Sequence, residues 1–181
     1  HTVSFSGNGT VEITDNGALT LTDCGITGKL CRTGNEVYKN DGVCISTKST
    51  FYMYGGTLTG FQSGVDFNKT GGTFRLYGGT ITDNRAASGA GVFCWGENDK
   101  PSTFIMYGGK IAHNDATNSD PYVDTLGGGV FLREHSKFEM HGGEITGNSA
   151  DYGGGVYCVG SNGSYTAEMT LYGGTITGNR A

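Results

Sequence analysis

Proline is almost missing from this 181-residue chain, with 2 in all, and charged residues make up only 16% of it. Nothing in it repeats with the period of an amphipathic helix, and 34 glycines would melt a helix in any case. No apolar run approaches the roughly 20 residues that a membrane-crossing helix needs, so no membrane insertion of this segment is expected. With 17 acidic against 12 basic residues the net charge is −5, and no Lys/Arg cluster is present. That excludes nucleic acid and an anionic membrane surface as partners, because nothing is there to neutralise phosphates. The five cysteines form no Cys-x-x-Cys pair, which removes the ordinary zinc and thioredoxin readings, so neither metal nor cofactor is expected. An odd number also leaves at least one thiol free. The chain opens on His1 with nothing like a signal peptide, and any export signal is expected to lie outside it.

What the chain has instead is glycine set in a repeat. The block reads FYMYGGTLTG from Phe51, FRLYGGTITD from Phe74, FIMYGGKIAH from Phe104, FEMHGGEITG from Phe138 and MTLYGGTITG from Met169, after an eroded copy, LTLTDCGITG, from Leu19. Successive starts are 32, 23, 30, 34 and 31 residues apart. Constant blocks at unequal spacing describe a fixed frame that carries loops of variable length. A second block follows in each coil: Gly-Val-Cys from Gly42, Gly-Val-Asp from Gly64, then GAGVFCW, GGGVFLR and GGGVYCV ending at Trp95, Arg133 and Val159.

Each coil therefore holds a strand, a Gly-Gly corner, a short strand, a second corner and a third strand. Strand side chains alternate between faces, which points Phe51, Met53 and Leu58 inward, and likewise Phe74, Leu76 and Ile81 and their later counterparts. Hairpins would pair neighbouring blocks antiparallel, whereas identical blocks this far apart put like on like only if the strands run parallel. At about 4.8 Å per strand, six coils would span about 29 Å. Asn84, Asn114, Asn148 and Asn179 each follow the short strand, so their amides are expected to bond along the axis as a ladder. The fold expected is all-β, a right-handed parallel β-helix of about six coils in one domain over residues 1–181. Residues 1–50 are expected to form an irregular N-terminal cap and first coil, with regular coils over 51–181.

The GGTITGN and GGGVY blocks resemble the repeats of bacterial right-handed parallel β-helix surface proteins, called adhesin-like proteins. They are also similar to the GGxI repeats of polymorphic outer membrane proteins. The resemblance covers roughly residues 17 to 181. It implies an extracellular passenger or stalk, on a bacterial surface or secreted, that binds a glycan or a host or environmental protein, and it carries over no catalytic residues.

Before each Gly-Gly stands an outward ring, Tyr54, Tyr77, Tyr107, His141 or Tyr172. This row is the candidate ligand-binding strip, since Tyr offers an apolar face and a polar tip to a sugar; rings that merely cover the corner glycines are the plainer reading. Thr-x-Thr on the short strands resembles an ice-binding array, but Lys110, Ala112 and Glu144 interrupt it, and Thr suits an exposed strand anyway. Asp115, Asp120 and Asp124, and Arg133, Glu134 and His135, gather in long excursions. They raise the alternative of a carbohydrate-active β-helix lyase or hydrolase, for which a cleft with three or more carboxylates would speak. Outward neighbours such as Arg75, Ile105, Glu139 and Thr170 repeat no carboxylate, so solvated loop charge is the expectation. Cys94 and Cys158 share one inward row two coils apart, about 9.6 Å, beyond disulfide reach, and are expected to act as small buried hydrophobes. One pairing among Cys24, Cys31 and Cys44 is possible. The last copy stops at 177–181 where earlier coils continue, so a truncated C-terminal end and end-to-end self-association are expected.

Overall fold

The computed structural model describes residues 2–5, 11–13, 16–22, 29–32, 40–46, 48–67, 71–160 and 166–181, the strands at 2–5 and 29–32 in backbone only. Three parallel sheets take one strand each from every turn. Face A, built on the short threonine strands, holds β1 (Thr2–Phe5), β4 (Lys29–Arg32), β7 (Thr57–Thr59), β10 (Thr80–Thr82), β14 (Lys110–Ala112), β18 (Glu144–Thr146) and β21 (Thr175–Thr177). Face B, built on the Gly-Val strands, holds β2 (Val11–Ile13), β5 (Val43–Ile45), β8 (Val65–Asp66), β12 (Val92–Cys94), β16 (Val130–Leu132) and β19 (Val156–Cys158). Face C, built on the Phe-x-Met/Leu strands, holds β3 (Ala18–Leu21), β6 (Thr50–Met53), β9 (Gly72–Leu76), β13 (Ser102–Met106), β17 (Ser136–Met140) and β20 (Ala167–Leu171). Among the described residues there is no helix, and the molecule is a parallel β-solenoid. Four turns, opening on β6, β9, β13 and β17, carry the regular repeat. The segment expected to be an irregular cap contributes β1 to β5 to the same three sheets, each paired parallel with its counterpart one turn on.

Register puts like on like. Phe51, Phe74, Phe104 and Phe138 stack down the core with centroids 4.6–4.9 Å apart and ring planes within 8°. Beside them run Met53, Leu76, Met106 and Met140, then Leu58, Ile81, Ile111 and Ile145, all fully buried. Each buried side chain of this size contributes about 1.5–3 kcal/mol, so a core one residue thick suffices if every turn repeats it. The rows run out at the last turn: Leu171 is 56% and Ile176 38% exposed, although both hold the inward register. Cys158 keeps the register expected of it beside Leu132, but it is exposed, because β19 is the last strand of its sheet among the described residues. Cys94 is a buried free thiol, and Cys44 is free as well. Cys24 and the side chain of Cys31 lie outside the described residues.

Asparagine and glycine together build the corner between faces A and B. The Nδ2 of Asn84 donates to Asn114 Oδ1, that of Asn114 to Asn148 Oδ1 and that of Asn148 to Asn179 Oδ1, each at 2.9 Å. Each Nδ2 also donates to a carbonyl one turn back, at Leu58, Ile81, Ile111 and Ile145. Phe61 takes the ladder position one turn earlier and ends it, its backbone N–H donating to Asn84 Oδ1 at 3.0 Å. The glycine immediately before the valine of Gly-x-Gly-Val makes room for the ladder. A Cβ on Gly91 would meet the Gly129 carbonyl oxygen at 2.3 Å and Asn114 Nδ2 at 3.1 Å. At the Gly-Gly corners the second glycine takes positive φ, 83° at Gly109 for example, where a side chain strains the backbone.

The A–B corner also holds an element that the repeat did not announce. β11 (Arg85–Ala86) and β15 (Asp115–Ala116) pair as a small parallel sheet, continued by bridges from Asp115 to Ser149 and on to Arg180. It widens the solenoid on the side where the strands of face B begin.

Candidate functional site

Tyr54, Tyr77, Tyr107, His141 and Tyr172 form one continuous stack, with centroids 4.6, 4.9, 5.1 and 4.5 Å apart and planes within 18°. The stacking that unites the row also occupies its ring faces. Neighbours cover both faces of the inner rings, so the row offers ring edges and hydroxyls to solvent. Arg75 reaches the Tyr107 hydroxyl at 3.5 Å, and Glu139 holds His141 at 3.4 Å and Lys137 at 2.7 Å. The hydrogen bond from Lys137, then that from His141, keeps the Glu139 carboxyl below its ordinary range.

Face B carries a different outward row. In register it reads Glu12, Cys44, Asp66, Phe93, Phe131 and Tyr157, one residue per turn. Phe93 and Phe131 are stacked at 5.3 Å with planes 1° apart, and Tyr157 tilts onto Phe131 at 5.7 Å. Above this row lies a groove of about 590 Å³. Ala87, Ser88 and Leu126, where the chain enters the strands, line one side of it; Trp95, Arg133, Glu134 and Val159, where the chain leaves them, line the other. Its early end is Gln62, Ser63 and Asp66.

The exit wall is fixed by its own contacts. The Arg133 guanidinium lies 4.0 Å over the Trp95 ring, Trp95 Nε1 donates to Glu134 Oε2 at 3.2 Å, and Arg133 Nε stands 3.7 Å from Glu134 Oε1. Cation–π contact and charge-assisted hydrogen bonding hold three side chains in one arrangement before any ligand arrives. Behind this wall a second hollow of about 400 Å³ gathers Glu97, Asp99, Glu134 and His135. Glu97 there is paired with Lys100 at 3.7 Å across a turn closed by two reciprocal backbone bonds.

Asp115, Asp120 and Asp151 in the excursions hold structure. Asp115 accepts Arg85 at 2.9 Å and the Ser149 hydroxyl at 2.6 Å. Asp120 caps Tyr122 N–H at 3.0 Å, in a loop whose base is locked by Asp151 against the Thr125 N–H and hydroxyl, both at 2.9 Å. Those bonds, the backbone one first, lower the Asp151 carboxyl. Lys110 and Glu144, which interrupt the threonine array, are an ion pair at 3.0 Å between adjacent turns. Among the described residues no group of three or more His, Cys, Asp or Glu is arranged to hold a metal ion, and no helix is long and apolar enough to cross a membrane.

The tyrosine row stands out in the sequence because it repeats; the row holding Phe93 and Phe131, with Trp95 beside it, does not. The signal was there: aligned on the Gly-Val blocks, the outward position changes from Cys44 and Asp66 to Phe93, Phe131 and Tyr157. No protein-family model matches the chain, and no characterised protein or solved structure matches it.

Proposed function

We propose that this chain is an adhesin-like β-helix module, displayed on a bacterial cell surface or secreted, that binds a glycan along face B. The observation that carries the reading is the groove itself. It combines an apolar, aromatic row with a pre-ordered polar wall, the pairing by which sugar rings are stacked and their hydroxyls bonded. The repeat resemblance supplies the extracellular setting. The tyrosine row is a second strip, where edges and hydroxyls add weak contacts that sum over a long ligand. A host or environmental protein is the other partner such a face could take.

A carbohydrate-active enzyme is the competing class, and the hollow with Glu97, Asp99, Glu134 and His135 is what favours it. Against it, Glu97 and Glu134 are engaged by Lys100, Trp95 and Arg133, and the groove proper is lined by two carboxylates, Asp66 and Glu134. Screening the purified chain on a glycan array, followed by incubation with each hit, separates the classes. Retention of an intact glycan, lost in Phe93→Ser, is expected. Shortened products from a hit would assign the enzyme, and an array without a single hit would remove the glycan.

A further inference from the structure

We propose that Asp41 and Asp66 form a proton-operated clasp between adjacent turns, closed in mildly acidic surroundings and opened as they turn alkaline. It stands on the fold alone and does not depend on what the groove binds. Asp41 lies just ahead of β5, and Asp66 ends β8, the next strand of face B. Backbone bonds already tie the two turns here: Gly42 N–H donates to the Ser63 carbonyl and Gln62 N–H to the Asn40 carbonyl, both at 2.8 Å. Asp41 adds side-chain bonds to the same seam. Its Oδ1 accepts the Ser63 N–H at 3.0 Å, its Oδ2 accepts the Cys44 thiol at 3.8 Å, and its carboxyl is hydrogen-bonded to that of Asp66.

Ionised carboxylates are acceptors only, so a bond between two of them exists only while the pair holds a proton. Remove it, and the bond becomes a contact between like charges. The groups facing the pair from the described elements packed against it are Glu12 on β2, Cys44 on β5 and Cys94 on β12, with Phe93 in register on the far side of Asp66. Burial first, then the neighbouring negative charge, pushes both thiols up, so neither adds charge of its own. Burial also raises the Asp41 carboxyl, against the hydrogen bonds from Ser63, Asp66 and Cys44, which lower it. A carboxyl raised in the folded state gives its stabilisation in full below the unfolded-state value and loses it as the pH rises through the folded one. The clasp therefore weakens upward from the ordinary carboxylate range. Ser63 and Asp66 line the early end of the groove, so opening the clasp loosens that end.

The test is chemical denaturation of the parent chain, Asp41→Asn and Asp66→Asn, from mildly acidic to mildly alkaline buffer. In either variant the amide Nδ2 donates where the shared proton did, and the Ser63 N–H keeps its acceptor. Across that range the unfolding constant of the parent should rise about tenfold more than that of the variants, the equivalent of about one pKa unit. Titrations common to the three chains cancel in this comparison. Hydrogen exchange gives the local reading: protection of the Ser63 amide, corrected for its intrinsic rate, should fall over the same range in the parent and hold in both variants. A rise in the parent no steeper than in either variant would overturn the clasp, and so would Ser63 protection that does not change with pH. An amide variant that fails to fold would overturn it too, because an amide preserves every bond of the protonated pair. None of these readings involves a glycan, so their failure leaves the groove standing.

Discussion

Two outward rows run the length of this solenoid, and they are built in opposite ways. The tyrosine row repeats one ring per turn, each lying flat on the next at 4.5–5.1 Å. The face B row uses the same stacking for Phe93 and Phe131, then breaks off into Asp66 and Cys44, and it is walled by segments that vary from turn to turn. A perfect stack satisfies its own rings and leaves little for a ligand. An interrupted one leaves a groove. The comparison teaches that repetition in this fold is spent on stability and that the departures from it are where recognition can be built.

The sharpest way to break the comparison is to damage the repeat in the core. Asn114→Leu removes the Oδ1 that accepts the Asn84 backbone N–H and Nδ2 and the Nδ2 that donates to Asn148 Oδ1 and the Ile81 carbonyl, leaving the Asn84 N–H, in a residue 1% exposed, without its acceptor. It should cost about 3 kcal/mol or more, read as a shift in the denaturant midpoint. Next comes Gly91→Ala, whose Cβ would sit 2.3 Å from the Gly129 carbonyl oxygen; forcing these turns apart should cost about 2–3 kcal/mol. Gly178→Ala, at φ 63° with its nearest contact 3.4 Å away, carries only the left-handed backbone penalty of about 1 kcal/mol. The gap between these two alanine variants measures how much of the glycine requirement is close approach rather than backbone conformation.

Smaller effects sharpen the contrast between the rows. Tyr107→Ala, which loses a stacked ring on each side, should cost about 1 kcal/mol in thermal or chemical denaturation and leave glycan affinity within twofold. Lys110→Ala should cost less than about 0.5 kcal/mol, because its pair with Glu144 is solvent-exposed and screened.

How much of this could be read from sequence follows the same division. The inward rows, the parallel register and the asparagine ladder were legible, because like residues stacked on like must recur at matching places in each block. The first fifty residues were harder: an eroded block hides strands that pair in register, as Leu19 with Phe51 and Leu21 with Met53 do. The last turn was legible as well: Leu171 and Ile176 have no later block to stack on, an open end that exposes them, and they are 56% and 38% exposed. The groove was least legible. Its wall joins Trp95 to Arg133 and Glu134, nearly forty residues on, and the β11–β15 pairing that shapes its other side arises inside the variable excursions. The excursions at 95–100 and 115–126 border the site, but their contacts depend on which turns they fold against.

The most direct test of the account is the affinity of one glycan hit for two variants of nearly equal stability, Phe93→Ser and Tyr77→Ala/Tyr107→Ala. Each removes stacked aromatic area at the surface and should cost about 1–2 kcal/mol of folding stability. Phe93→Ser is expected to cost affinity by about tenfold or more, and the tyrosine double variant only a few-fold at most. If instead the folded tyrosine double variant loses binding and Phe93→Ser retains it, the regular row is the binding face and the central claim fails.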